Sequence, residues 1–224
     1  MKIKGAIFDM DGTLVDSLTF WSSYWKRFGK RFFGIHDFVP DEKVDCAVRT
    51  MIFKKAQLHI KEFYTLDVSD EEFADFSEGG VMDFYRTEAT VKDGVFELLE
   101  HLKKEGIKLC VASATEKYLV TFALNHLGLA PYFETVLSCA DIGKSKDVPD
   151  IYLLARDILD AKENELCVFE DSFVAIETAK KAGFLTVGIY DEHNFDQNRL
   201  AASSDFYVGK DHSMAELIDR IQSV

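Results

Sequence analysis

IFDMDGTLVDS, residues 7–17, sets two aspartates two positions apart, with a glycine next, where an apolar run stops. In a globular core Asp9 and Asp11 would repel each other, so something must make that placement tolerable. The run before them, within KIKGAIFD (2–9), has the length and composition of a buried strand. Runs of the same kind recur: IKLCVAS (107–113), TVLSC (135–139), LCVFE (166–170), TVGIY (186–190) and DFYVG (205–209). Between them VFELLEHLKKEG (95–106), KYLVTFALNHLGL (117–129), DIYLLARDILD (150–160) and SFVAIETAKKAG (172–183) carry apolar residues at helical spacing. Strand then helix, repeated, implies an α/β fold: a Rossmann-like parallel sheet with helices on both faces.

Residues 16–89 break this rhythm. They read as helices over 19–33, 41–64 and 69–88, with no strand. An all-helical cap domain inserted after the first strand is therefore expected at 16–89, with 1–15 and 90–224 forming the core domain. The chain of 224 residues, 47% hydrophobic, is long enough to bury such a core. Its net charge of −13 argues against a nucleic-acid or anionic-membrane partner, which would need clustered Lys and Arg. A small substrate is expected. The first residues, MKIKGAIFDMDG, hold about four consecutive apolar residues, short of the roughly 7–15 of a secretory segment. We expect a cytoplasmic protein, as a monomer or a weak dimer. Cys46, Cys110, Cys139 and Cys167 show no C-x-x-C spacing, and three lie in apolar runs where a thiol acts as a small hydrophobe.

In an open parallel sheet, ligands sit at the carboxyl ends of the strands, near the point where strand order reverses. Asp9 lies at such an end, and Gly12 permits the tight turn that aims Asp9 and Asp11 at one space. Glu170 and Asp171 close another strand. Beside the first strand they would surround one crevice with carboxylates, an arrangement relieved most simply by a divalent cation. All the ligands would be oxygens, so Mg²⁺ is the natural choice. Alone, D-x-D-G is an ordinary turn. A calcium EF-hand fails, because its Gly and Glu positions would fall on Leu14 and Phe20. Ser113, Ala114 and Thr115 end a strand before a helix, where hydroxyl and backbone N–H groups can hold phosphate oxygens or serve as a helix cap. The loop GKSKDVPDIY (143–152) offers Lys144 and Lys146, either of which could be simple surface charge.

Taken jointly, FDMDGTLVDS (8–17), VASAT (111–115), KDVPDIY (146–152) and VFEDSFVAIETAKKAG (168–183) resemble the motifs of the haloacid dehalogenase-like superfamily. The resemblance is to its helical-cap branch, that of β-phosphoglucomutase and phosphoglycolate phosphatase-like enzymes, and spans essentially the whole chain. It implies a Mg²⁺-dependent phosphatase acting on a small phosphorylated metabolite. Asp9 would be the nucleophile and Asp11 the general acid and base. Ser113, with Ala114 and Thr115, would hold the phosphoryl group. Lys146 would neutralise charge, since in resembling loops the lysine lies three residues before the proline. Asp9, the backbone carbonyl of Asp11, Asp171 and, directly or through water, Glu170 would bind the metal.

The second acid, Asp11, sets the pattern apart from dehalogenases, whose halide leaving group needs no proton. A sugar-phosphate mutase is the alternative, although Trp21 stands where that branch carries a histidine. A phosphonate hydrolase would need a singled-out cap lysine, and a phospho-receiver module would retain neither Asp11 nor the cap. The cap is expected to close over the crevice and set specificity. Its aromatic run from Phe20 to Phe32 reads mainly as cap core, with Trp21 and Arg49 as candidate substrate contacts.

Overall fold

The computed structural model describes residues 3–49 and 51–221. The chain divides into two compact units, one running through Leu18 and resuming at Thr90, the other spanning Thr19–Ala89. In chain order the elements are β1 (Gly5–Phe8), β2 (Val15–Asp16), α1 (Phe20–Phe28), α2 (Glu42–Val48), α3 (Phe53–Phe63), α4 (Asp70–Thr87) and β3 (Thr90–Val91). There follow α5 (Val95–Lys104), β4 (Lys108–Ser113), α6 (Lys117–His126), β5 (Thr135–Ser138), α7 (Cys139–Ile142), α8 (Asp150–Leu159) and β6 (Leu166–Glu170). The chain continues through α9 (Phe173–Lys181), β7 (Leu185–Ile189), α10 (Gln197–Ser203), β8 (Phe206–Val208) and α11 (Leu217–Ile221).

The first unit is the α/β domain implied by the alternation. Its six strands run in the order β5-β4-β1-β6-β7-β8, every pair parallel. Each of the residues of β1 and β6 is buried, because helices cover both faces of a parallel sheet and leave no solvent side for a polar residue. Ile7, Cys110, Val168, Tyr152, Ala155 and Ala179 share one core cluster on a face of this sheet. The rings of Phe8 and Phe169 stack at 4.1 Å between their centroids. The chain builds β4 and β5 on one side of β1, then crosses to build β6, β7 and β8 on the other. β1 is therefore the switch point, and the crevice of an open sheet opens at its carboxyl end. Register carries Phe8 opposite Val111 on one side and Phe169 on the other, and the Asp9 N–H donates to the Phe169 carbonyl at 3.0 Å. Asp9 and Glu170 thus leave the sheet at one level, with Ser113 one residue further along β4.

Three sequence readings need correction in detail. The segment 41–64 is two helices, α2 and α3, where one was expected. A single helix of that length would be about 36 Å long and could not return its apolar residues to one cluster. Broken between Val48 and Phe53, the pair places Val44, Val48, Ala56 and Ile60 in the same core as Tyr24, Trp25, Phe28 and Phe73. The first expected helix ends as α-helix at Phe28 and continues as a π-helical turn over Gly29–Phe33. Third, Val15–Asp16 and Thr90–Val91 form an antiparallel ribbon that was not anticipated, since a two-residue strand is too short to show a period. The remaining strand and helix expectations hold to within a few residues, with Cys139 opening α7 rather than closing β5. Cys110, Cys139 and Cys167 are buried free thiols, whereas Cys46 is exposed. No helix among the described residues is long and apolar enough to cross a membrane.

Candidate active site

The carboxyl ends of β1 and β6 bring Asp9, Glu170 and Asp171 together, with one carboxylate oxygen of each lying within 4.8 Å of the others. All three residues are buried. Lys146, from the loop before α8, reaches two of them: its Nζ lies 2.5 Å from Asp9 Oδ1 and 2.5 Å from Glu170 Oε1. Burial presses this ammonium toward neutrality, but the carboxylates of Asp9 and Glu170 outweigh it and hold the group above its ordinary value. Lys144 is elsewhere. It is exposed and pairs with Asp150. Of the two lysines, the loop buries Lys146 against the carboxylates and leaves Lys144 at the surface.

One ammonium does not balance three carboxylates. Burial raises Asp9 well above the carboxylate range, and Glu170, Asp171 and Asp11 add to this against the opposing pull of Lys146. Asp171 is pushed up to about 7, by burial first and the Glu170 charge second, while Lys146 and Lys92 pull the other way. A buried, all-oxygen donor set short of positive charge fits a hard divalent cation. The Asp11 carboxylate stands outside this triad. Its Oδ1 accepts from Ser17 Oγ at 2.7 Å and its Oδ2 from Thr115 Oγ1 at 2.9 Å. A hydroxyl can donate to a carboxylate or accept from a carboxylic acid, so this pair of partners suits Asp11 in either protonation state.

Thr115, singled out as a phosphate contact, thus spends its hydroxyl on Asp11. Its backbone N–H donates to Ser113 Oγ at 3.1 Å, and Ala114 beside it is exposed. Ser113 is buried at the end of β4, one residue beyond the level of Asp9. The turn that links Asp9 to Asp11 depends on Gly12, whose φ of +79° is unfavourable for other residues and whose missing Cβ would lie 2.4 Å from Asp171 Oδ2. Thr13 Oγ1 donates to Asp171 Oδ1 at 3.3 Å. Tyr152 donates to Glu170 Oε1 at 3.0 Å, and burial followed by the Glu170 charge keeps its hydroxyl protonated.

Arg49 and Trp21 belong to the helical unit. Arg49 Nε and Nη2 lie 3.1 and 3.0 Å from Asp45 Oδ2, while Trp25 Nε1 takes the other oxygen at 2.6 Å. Trp21 packs edge-on against Phe20 and Tyr24 on the border of the aromatic core. Sequence reasoning gave no role to Ser17, Thr13, Tyr152 or Asn194. The first three lie inside the quoted motifs, and only their distance to an acidic partner reveals their part. Asn194 sits in a loop that no motif marks.

The chain is similar to known proteins along most of its length. Validoxylamine A 7'-phosphate phosphatase of Streptomyces hygroscopicus subsp. limoneus is 29% identical over 85% of this chain and 87% of its own. Hexitol phosphatase A of Escherichia coli is 27% identical over 84% of each chain. Among solved structures, β-phosphoglucomutase from Clostridium difficile superposes with a TM-score of 0.76 at 21% identity, covering 99% of this chain and 96% of that one. Residues 3–183 match the sequence model of haloacid dehalogenase-like hydrolases, a span that takes in the aspartate turn, the buried lysine and the second acidic pair, and the chain belongs to that family.

Proposed function

We propose that this protein is a Mg²⁺-dependent phosphatase that hydrolyses a small phosphate monoester, of sugar-phosphate type, through an aspartyl-phosphate on Asp9. The observation that carries the reading is the division of labour between the two aspartates. Asp9 is buried against Lys146 among the metal-type carboxylates, whereas Asp11 is held by two hydroxyls. In the first step an Asp9 carboxylate oxygen attacks phosphorus and the bond to the leaving oxygen breaks. Asp11, entering as the acid, gives that oxygen its proton. In the second step Asp11 takes a proton from water, the resulting hydroxide attacks phosphorus, and the Asp9–phosphorus bond breaks to release phosphate. Lys146 offsets the charge on Asp9 and on the transferring oxygens, in a site dry enough for one cation to count.

Asp9, Asp171 and Glu170 would hold the cation, with the backbone carbonyl of Asp11. When bound, Mg²⁺ supplies charge neutralisation for the phosphoryl oxygens. The relatives named as phosphatases of phosphorylated carbohydrates and polyols support the substrate class. Trp21 supports hydrolysis over isomerisation, since an indole cannot take the proton that a histidine at that position would.

The test is phosphate release from a panel of phosphorylated metabolites with Mg²⁺, run on the wild type and Asp9→Asn. Release by the wild type, with turnover by the variant lower by at least about three orders of magnitude, is expected of a lost nucleophile. Comparable release by both proteins would rule out the covalent route. Isomerisation of a sugar monophosphate without release would favour a mutase.

A further inference from the structure

The loop that leaves β7 reaches the carboxylate cluster from a side no motif marks. Asn194 Nδ2 donates to Asp171 twice, at 2.6 Å to Oδ2 and at 2.9 Å to the backbone carbonyl. Its Oδ1 accepts from the Phe195 N–H at 2.8 Å. That second contact settles the sense of the amide. With the oxygen turned to an N–H donor, the NH₂ must face Asp171.

The loop is itself pinned. The Asn194 N–H donates to the Asp191 carbonyl at 3.2 Å and the His193 N–H to Asp191 Oδ1 at 2.9 Å. Lys92 Nζ reaches Asp191 Oδ2 at 2.7 Å and the Tyr190 carbonyl at 2.9 Å, in a pair whose side chains are 15% and 3% exposed. Lys92 follows directly on β3, and its own N–H donates to the Leu14 carbonyl at 3.0 Å. The return strand of the insertion, the loop after β7 and the acid at the start of α9 are thus joined by consecutive polar contacts.

Resting on the magnesium-dependent reading above, we propose that Asn194 is a positioning residue for Asp171, holding its carboxylate in the rotamer that meets the cation, and that the Lys92–Asp191 pair acts through Asn194 by fixing its loop. The chemistry of the side chain is the reason. Lys146 neutralises the two acids that it touches. A neutral amide orients Asp171 without cancelling any of its charge, so the full attraction for a divalent cation is kept. Because the amide is held at both ends, it need not be ordered when metal binds.

The test is calorimetric titration with Mg²⁺ alone, with no substrate present, on the wild type, Asn194→Ala, Asp191→Asn and the double variant. Asn194→Ala should raise the Mg²⁺ dissociation constant about tenfold, within the range for outer-shell partners of metal ligands. Its kcat at saturating Mg²⁺ should stay within about threefold of wild type, with an unchanged circular dichroism spectrum. Asp191→Asn keeps the shape and loses the ion pair. It should weaken Mg²⁺ about threefold alone and add nothing in the Asn194→Ala background, because two residues acting in series are not additive. A direct effect of the Asp191 charge on the cation would add in both backgrounds, and that result would overturn the role of the pair. An unchanged dissociation constant in Asn194→Ala, or a fall in kcat at saturating Mg²⁺ with no change in affinity, would overturn the role of Asn194. If the wild type hydrolyses phosphate monoesters with Mg²⁺ while Asn194→Ala binds Mg²⁺ as tightly as the wild type does, only this inference fails. If the wild type binds Mg²⁺ and hydrolyses none of the panel, the phosphatase reading fails while the titrations still decide the role of Asn194. A wild type that binds no Mg²⁺ overturns both.

Discussion

Two lysines two positions apart in one loop have different surroundings. Lys146 is buried against Asp9 and Glu170, and Lys144 is exposed against Asp150. In a site of low dielectric, a cation facing the transferring phosphoryl group is worth about 3–4 kcal/mol in the barrier, or roughly 10²–10³ in rate. An exposed pair is screened by water and salt and contributes at most about 1 kcal/mol to stability. We expect Lys146→Ala to lose turnover by that factor and Lys144→Ala to stay within about threefold of wild type, by steady-state kinetics on the best substrate of the panel. Equal effects in the two variants would remove Lys146 from the mechanism. The decision belongs to the residue scale, because the local composition of GKSKDVPDIY treats both lysines alike. Spacing to the proline in resembling loops points to Lys146, and the path of the loop gives the two side chains their different surroundings.

At the scale of elements, the turn after β1 converts a strand end into a site. Gly12 and Gly106 both have positive φ, +79° and +75°. A Cβ at Gly106 would meet nothing within 4 Å, whereas one at Gly12 would lie 2.4 Å from Asp171 Oδ2 and 2.8 Å from its Cγ. Alanine at either position pays the left-handed backbone cost of about 1–2 kcal/mol. Alanine at 12 must also displace Asp171. Urea melts should therefore show a loss of stability in both variants, and Mg²⁺ titration a loss of affinity in Gly12→Ala alone. A Gly12→Ala protein that binds Mg²⁺ like Gly106→Ala would show that Asp171 is not required where the structure places it. Elements of this kind are set by non-local packing. β2 and β3 pair across the whole length of the insertion, and the break between α2 and α3 exists to close the aromatic core.

Taken whole, the sheet unit carries a concentrated excess of negative charge at one end, and its stability is linked to whatever neutralises it. A ligand that binds only the folded state at 100 times its dissociation constant adds about 2.7 kcal/mol. For a domain of this size that is a rise in melting temperature of roughly 5–10 °C. We expect scanning calorimetry to show such a rise on adding Mg²⁺ to chelator-treated protein. Asp171→Asn should abolish it, since that variant removes a charged oxygen donor from the triad. A melting temperature indifferent to Mg²⁺ in the wild type would mean that the buried carboxylates are not a metal site.

By itself the sequence determined the parallel sheet, the helical insertion and the acids at the strand ends. These depend on signals that are local in the chain: unbroken apolar runs where a strand is covered on both faces, helical spacing between them, and acids placed where a run stops. LCVFE followed by Asp171 shows the apolar run and the acids that end it in six residues. Tertiary structure alone decided how those acids are held. Ser17 and Thr115 meet at Asp11 from positions 98 residues apart in the chain, Lys92 pairs with Asp191 across 99, and Asn194 finds Asp171 across 23. A hydrogen bond depends on a few tenths of an ångström between groups brought together by the packing of distant elements. No spacing along the chain encodes that distance, so the shell that orients the acids becomes visible only once the sheet has placed its strand ends side by side.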